Sequence, residues 1–204
     1  MSQVTTQDWA GLKYYAAANA SLKRRKPREN RTVFFGDSIT EHWELEKSFP
    51  GCGLINRGIS GQTTPQMVLR FRQDVVDIGA TKCVILGGTN DFARNTGEAS
   101  LEEIQGYLAS LCEIAHANDI DVVLASVLPV IEYPWSPGLN PAPKVKALNK
   151  WLRKYARQRG FEYLDYYSKM AEKNGALKQG LGDDGVHPND RGYAIMKVVA
   201  EAVL

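Results

Sequence analysis

A serine follows the end of a short apolar run near the start of the chain. Residues 32–35 are Thr-Val-Phe-Phe, which predicts a buried strand, and Gly36-Asp37-Ser38 then leads into a helical pattern. A serine between a strand and a helix lies at the helix N-terminus, where free backbone N–H groups stabilise developing negative charge. A serine nucleophile needs such surroundings once its attack has produced an oxyanion. The alternative is that Asp37 or Ser38 merely caps the helix.

A histidine near the other end of the chain has a carboxylate three residues before it. Of the three histidines, only His187 lies in a turn-rich segment, residues 182–189. Asp184 can fold back onto the imidazole and hold its tautomer, which leaves the second ring nitrogen free to accept the proton of Ser38. Two alternatives stay open, namely that the segment is an ordinary turn and that Asp183 takes the place of Asp184.

His42 is the rival of His187 for the role of general base. It lies four residues after Ser38, so the two side chains can share one face of the predicted helix. However, no carboxylate except a neighbouring glutamate is available to orient it. We therefore expect His42 at the rim of the site.

Two loops that follow predicted strands offer hydrogen-bond donors. Gly61 lies in the loop at residues 56–64, and Asn90 follows the strand at residues 82–86. Open α/β sheets bind their ligands beyond the carboxyl ends of the strands. The backbone N–H of Gly61, the side-chain amide of Asn90 and the N–H of Ser38 are therefore three candidate donors to an oxyanion. Asn90 and Asp91 could otherwise be a simple turn pair.

Taken together and in this order, these segments resemble the four sequence blocks of the SGNH (GDSL-type) hydrolase family. The blocks are Gly36-Asp37-Ser38, Gly61, Gly88-Thr89-Asn90-Asp91 and Asp184-Gly185-Val186-His187-Pro188, and the resemblance covers residues 31–204. The first block continues with Ile39 instead of the leucine of the family's nickname. The resemblance implies that Ser38 is the nucleophile, His187 the general base and Asp184 its orienting residue. It also implies an oxyanion hole of Ser38, Gly61 and Asn90.

The spacing of apolar residues predicts an α/β protein. Five short apolar strands alternate with helices, which requires a parallel sheet covered on both faces, a three-layer α/β/α arrangement. The resemblance implies the flavodoxin-like strand order 2-1-3-4-5. The predicted strands are 32–35, 53–56, 82–86, 120–128 and 161–166, and the main predicted helices are 7–22, 65–78, 100–118, 144–159, 168–174 and 189–204.

Length and composition limit the possible classes of protein. The 204 residues, 44% of them hydrophobic, predict a single domain over residues 1–204, with residues 1–30 forming a helix and a basic linker packed on it. The net charge of +2 is too balanced to indicate a polyanionic partner. The basic run at residues 23–28 is therefore interpreted as a solvated linker, with a nucleic-acid patch as the alternative.

Neither a metal site nor a membrane segment is indicated by the sequence. The three cysteines have no metal-ligand or disulfide spacing, so we predict no metal and no cofactor. Residues 1–8 lack the features of a signal peptide, and the longest apolar run, at residues 120–131, is too short to span a bilayer. These features predict a cytoplasmic protein without a membrane span; a secreted form that has lost its leader is the alternative.

A proline-rich loop at residues 129–143 leaves the carboxyl end of the fourth predicted strand. Its aromatic residues, Tyr133 and Trp135, are candidates for the wall of a substrate pocket, or else they cap the core.

These features predict a serine esterase that acts on short-chain esters, from acetyl to butyryl, through an acyl-enzyme, with a small-molecule ester as its partner. Alternatives on the same site are a thioesterase, a lysophospholipase and a carbohydrate O-acetylesterase. Alternatives of another class are a non-catalytic acyl- or glycan-binding module and a nucleic-acid binder.

Overall fold

A five-stranded parallel sheet forms the centre of the molecule. It is seen in a computed structural model that describes residues 8–24 and 30–204. The strand order is β2-β1-β3-β4-β5, and all four pairings are parallel, which confirms the predicted flavodoxin-like sheet. The strands are β1 Thr32–Gly36, β2 Ile55–Gly58, β3 Lys82–Leu86, β4 Asp121–Ala125 and β5 Glu162–Leu164.

Helices cover both faces of this sheet. They are α1 Ala16–Lys23, α2 Ser38–Glu41, α3 Leu45–Ser48, α4 Thr64–Phe71, α5 Thr89–Phe92, α6 Leu101–His116, α7 Ala142–Arg159, α8 Tyr166–Met170 and α9 Asp190–Ala200; a π-helical segment, Arg72–Val76, continues α4. Successive residues of a strand point to opposite layers, because side chains in a strand repeat with a period of two. Val33 and Phe35 pack in the core beneath α4, α6 and α7, whereas Phe34 packs in the second core beneath α2, α3 and α9.

The N-terminal helix is shorter than the apolar pattern predicts. Residues 8–15 form turns, and α1 begins at residue 16. The side chain of Asp8 accepts hydrogen bonds from the backbone N–H groups of Leu12 and Lys13, at 2.7 and 2.6 Å. Gly11 has a φ of +70°, which lies outside the helical region. A closed local turn therefore replaces the first half of the predicted helix.

Some sequence predictions fall outside the described part of the chain. Residues 1–7, which bear on a signal peptide, lie outside it, and so do residues 25–28 of the basic run. Within the described part of that run, Lys23 forms an ion pair with Asp77 at 3.1 Å. In the described ranges, no helix combines the length and apolar character that crossing a bilayer requires.

The helix after Ser38 ends after one turn because a side chain from the sheet takes its carbonyl groups. The Asn56 amide donates to the carbonyl oxygens of Thr40 and Trp43, at 2.6 and 3.1 Å. The chain therefore breaks between α2 and α3, where the sequence indicates continuous helix from residue 41 to residue 45. The bent segment brings α2 close against β2.

Further bounds differ from the predictions for similar reasons. β4 ends at Ala125, and beyond it the Asn149 side chain pairs with both backbone groups of Val127, at 2.8 and 2.9 Å. β5 ends at Leu164 because Asp165 caps α8, accepting a hydrogen bond from the N–H of Ser168 at 3.0 Å. The helix predicted at residues 168–174 therefore begins two residues earlier, at residue 166.

Candidate active site

Ser38 is the first residue of α2, directly after the carboxyl end of β1. Asp37 is the N-cap, and its Oδ1 accepts a hydrogen bond from the N–H of Ile39 at 3.0 Å. The capping interpretation therefore holds for Asp37 and leaves the hydroxyl of Ser38 available. A Cβ at Gly36 would lie 2.3 Å from Oγ1 of Thr40, so a larger residue does not fit in this tight turn.

The loop before α9 brings a histidine to this serine. Nε2 of His187 lies 2.9 Å from Oγ of Ser38, and its Nδ1 lies 2.6 Å from Oδ2 of Asp184. The other oxygen of Asp184 accepts hydrogen bonds from the backbone N–H groups of Val186 and His187, at 2.9 and 2.8 Å. The segment is thus a tight turn that also orients the imidazole. Asp183 is directed elsewhere, since its carboxylate accepts from Asn189 at 3.3 Å.

The other two sequence blocks follow the carboxyl ends of β2 and β3. Gly61 has a φ of +75° in the loop between β2 and α4, a conformation that favours glycine. Asn90 is buried in the short helix α5 rather than in a turn, and its amide donates to the carbonyl oxygen of Gln62 at 3.0 Å. Asp91 is structural, because its carboxylate accepts from the N–H and hydroxyl of Thr64.

Comparison with known proteins identifies the family of the chain. The model of the GDSL-like Lipase/Acylhydrolase family matches residues 34–195. The chain belongs to this family. One crystal structure shows a protein of Bacteroides fragilis NCTC 9343 that is assigned to the acylhydrolases. Its sequence is 40% identical to this chain, the match covers 96% of each chain, and the TM-score is 0.92. A GDSL-like lipase from Bacteroides thetaiotaomicron VPI-5482 is 42% identical over 95% of this chain and 96% of its own, with a TM-score of 0.90. The resemblance seen in the sequence is confirmed.

A curated relative of this chain matches over a shorter region. The uncharacterized lipoprotein YqeF of Bacillus subtilis (strain 168) is 34% identical over 120 residues, which is 49% of each chain. The match therefore spans about half the length of that relative.

Two carboxyl groups near Ser38 have shifted pKa values. Partial burial of Asp184 opposes its ionisation, but hydrogen bonds from the side chain and N–H of His187 and from the N–H of Val186 outweigh it, and its pKa is lowered. Complete burial raises the pKa of Asp37 to about 7. Asp184 therefore stays a carboxylate beside the imidazole, whereas Asp37 places less negative charge behind Ser38 than an exposed aspartate would.

His42 borders the site but contacts a different serine. Its ring centroid lies 5.9 Å from that of His187, and its Nε2 lies 3.3 Å from Oγ of Ser60. The carboxylate of neighbouring Glu41 accepts hydrogen bonds from the hydroxyl and N–H of Ser60. The structure thus places His42 on the rim of the site, as expected from the sequence.

The two aromatic residues of the proline-rich loop have different positions. The Tyr133 side chain is fully buried, with its hydroxyl 3.0 Å from Oγ1 of Thr89, so it caps the core and does not reach the cleft. Trp135 is 44% exposed, and its ring centroid lies 5.8 Å from that of His187. Its indole N–H donates to Oδ1 of Asn95 at 3.1 Å. Asn95 is a residue of the site that the sequence analysis missed.

A cleft of about 390 Å³ adjoins the histidine side of the site. It is bordered by His42 and Pro188, and charged side chains such as Lys47 and Asp190 line it further out. Lys47 pairs with Glu44 at 3.1 Å and with Asp190 at 3.5 Å, and all three side chains are solvent-exposed. The cleft therefore has both aromatic and charged walls, and Pro188 brings it to within one residue of His187 in the chain.

Proposed function

We propose that this acylhydrolase is a serine esterase that works through an acyl-enzyme on Ser38. The observation that carries the proposal is the series of hydrogen bonds from Ser38 Oγ to His187 Nε2 and from His187 Nδ1 to Asp184 Oδ2. Because Asp184 accepts the proton on Nδ1, Nε2 of His187 is the acceptor for the serine proton. A serine, a base and an orienting carboxylate are the groups that acyl transfer requires.

The reaction proceeds in two halves. In the first, Ser38 Oγ bonds to the ester carbonyl carbon and its proton passes to His187 Nε2. The bond to the alcohol oxygen then breaks, and His187 gives the proton to the leaving alcohol. In the second, a water molecule loses a proton to His187 and attacks the acyl carbon. Ser38 leaves with the proton from His187, and Asp184 stabilises the imidazolium in both halves.

The oxyanion is stabilised by three donors, which come from α2, from the loop after β2 and from α5. These are the N–H groups of Ser38 and Gly61 and the side-chain amide of Asn90. One amide hydrogen of Asn90 is donated to the carbonyl oxygen of Gln62, which holds the side chain in place and leaves the second hydrogen for the oxyanion.

Replacing Asn90 with alanine is expected to lower kcat by roughly 10²–10³, as the loss of one oxyanion donor does. KM should change little, because the donor acts mainly in the transition state. Steady-state kinetics on a chromogenic acetyl ester measures both constants. Asn118→Ala, in the turn between α6 and β4, is the matched control. An effect on KM alone would make Asn90 a ground-state binding group.

The substrates proposed are short-chain esters, from acetyl to butyryl. Trp135 stands beside His187 on a loop anchored by buried Tyr133, and their rings pack at 5.3 Å. The ring of Trp135 therefore bounds a shallow pocket and does not line a long channel. Each buried methylene would contribute about 0.8 kcal/mol if there were apolar space for it, so a channel would favour long chains.

Across a series of chromogenic esters of increasing acyl length, kcat/KM is expected to be highest for acyl groups from acetyl to butyryl. It should be lower for acyl groups of about eight carbons, because the added methylenes find no apolar wall. Trp135→Ala should shift the optimum towards longer chains. Ile131→Ala, an exposed residue of the same loop, is the control that should leave the optimum in place. A wild-type preference for long chains, or an unmoved optimum in Trp135→Ala, would contradict the shallow pocket.

A carbohydrate O-acetylesterase is the second candidate, favoured by the cleft that begins at His42 and Pro188. The charged groups of Lys47 and Asp190 suit the hydroxyl groups of a sugar better than a lipid tail. Acetylated sugars and acetyl esters of simple alcohols, compared by kcat/KM, distinguish the two candidates.

The cytoplasmic location indicated by the sequence stays a prediction. The relative YqeF is named a lipoprotein, and a surface-attached form of this chain is the competing proposal.

A further inference from the structure

Three side chains form a hydrogen-bonded series that ends at the proposed oxyanion hole. Trp135 Nε1–H donates to Oδ1 of Asn95 at 3.1 Å. The amide nitrogen of Asn95 donates to Oδ1 of Asn90 at 3.1 Å and to the carbonyl oxygen of Gly61 at 2.9 Å. Asn95 is therefore bonded to two of the three residues that would supply oxyanion donors.

The chemistry of the partners fixes the orientation of both amides. An indole N–H can only donate, and a backbone carbonyl can only accept. Trp135 therefore requires the oxygen of Asn95 on its side, and Gly61 requires the nitrogen on the other. The nitrogen of Asn95 in turn requires the oxygen of Asn90 to face it. The Asn90 nitrogen is thereby turned towards Gln62 and the position of the oxyanion.

The alternative orientation of Asn90 would remove the donor. An amide rotated by 180° would direct its oxygen at the oxyanion and at the carbonyl of Gln62, and both contacts would be repulsive. The contact with Asn95 favours the productive orientation before substrate arrives. Preorganised donors of this kind need no rearrangement as charge develops.

We propose that Asn95 is a positioning residue for the oxyanion hole, and that Trp135 orients Asn95. The proposal rests on the esterase function proposed above and assigns Asn95 no contact with the substrate. It also gives the indole nitrogen of Trp135 a role distinct from that of its ring as a pocket wall.

The position of Asn95 makes the proposal testable without loss of the fold. Asn95 follows Arg94, whose positive φ of 62° ends α5, and its backbone N–H donates to the carbonyl of Asn90 at 3.1 Å. That bond does not depend on the side chain. Because the Asn95 side chain is exposed, its replacement removes little packing.

A double-mutant cycle with Asn95→Leu and Asn90→Ala separates positioning from a general structural role. Asn95→Leu is expected to lower kcat about tenfold with KM within about threefold, as the loss of one hydrogen bond that acts in the transition state does. In the Asn90→Ala background, Asn95→Leu should lower kcat by no more than about threefold, because only the hydrogen bond of Asn95 to Gly61 then matters. Equal losses in both backgrounds, or no loss in the wild-type background, would overturn the proposal.

Two further variants define the roles of the partners. Trp135→Phe keeps an aromatic ring but removes the N–H, and it should lower kcat by about threefold while leaving the acyl-length optimum in place. Asn95→Ser serves if Asn95→Leu does not fold, and it should show the same non-additivity with Asn90→Ala. Asn118→Leu, remote from the site, should have wild-type kcat. An unchanged kcat in Trp135→Phe would overturn the role of Trp135.

The results also distinguish this proposal from the esterase function on which it rests. If the wild-type protein hydrolyses no ester, the esterase function fails, and if Asn90→Ala has wild-type kcat, the oxyanion hole is misassigned; positioning by Asn95 fails in both cases. If Asn90→Ala is impaired and Asn95→Leu is not, positioning by Asn95 alone is overturned.

Discussion

Replacing Ser38 with alanine is expected to abolish ester hydrolysis, with a loss of kcat of about 10⁴-fold or more. Without Oγ no acyl-enzyme forms, and His187 has no proton to accept. The change removes one oxygen from a small buried side chain that touches His187, so the free energy of unfolding should change little. Hydrolysis of a chromogenic acetyl ester and thermal unfolding measure the two effects.

The matched control for Ser38→Ala is Ser110→Ala. The hydroxyl of Ser110 donates to the carbonyl oxygen of Gly106 on the exposed side of α6. Its loss should leave kcat unchanged. A Ser38→Ala variant that keeps a tenth of the wild-type activity would mean that the nucleophile is another residue. A wild-type protein that hydrolyses none of the esters would instead support the non-catalytic binding module.

His187→Ala should remove activity almost as completely as Ser38→Ala, because triad members act as a unit and their losses are not additive. His42→Ala should keep activity within a few-fold of wild type. The two histidines differ in the hydroxyl group that they contact. Nε2 of His187 lies 2.9 Å from Oγ of Ser38, whereas the nearest hydroxyl partner of His42 is Ser60.

The pH dependence provides a second test of the general base. Activity should rise with pH as the base loses its proton, because only the neutral imidazole accepts a proton from serine. Asp184, whose pKa is lowered, does not cause the rise. Buried Asp37, whose pKa is raised to about 7, also loses a proton near neutral pH, so the histidine variants identify the base. His42→Ala should leave the pH profile in place. An inactive His42→Ala beside an active His187→Ala would reverse the assignment.

The sequence by itself determined the strands, their faces and the four blocks. Successive apolar residues of β1 must face opposite layers, and a strand that ends in glycine before a helix N-terminus places Ser38 at the sheet's carboxyl edge. These are local properties of short segments. The strand order came from the family resemblance, since apolar patterns do not specify which strands are neighbours.

Contacts between distant segments decided the remaining features. The break after α2 depends on the Asn56 side chain, which belongs to a strand that begins well after α2 ends. Asp183 and Asp184 are neighbours of the same type, and only the turn geometry directs Asp184 onto His187.

The tertiary structure also decided which loop residues reach the site. Tyr133 and Trp135 lie two residues apart in one loop, yet the first is buried and the second exposed, because the packing of the loop against α5 determines which side faces inward. Asn95 carries no distinguishing signal, being a polar residue in a polar loop. Its importance arises from the simultaneous approach of Trp135, Asn90 and Gly61, and such an approach of separate segments exists only in the folded chain.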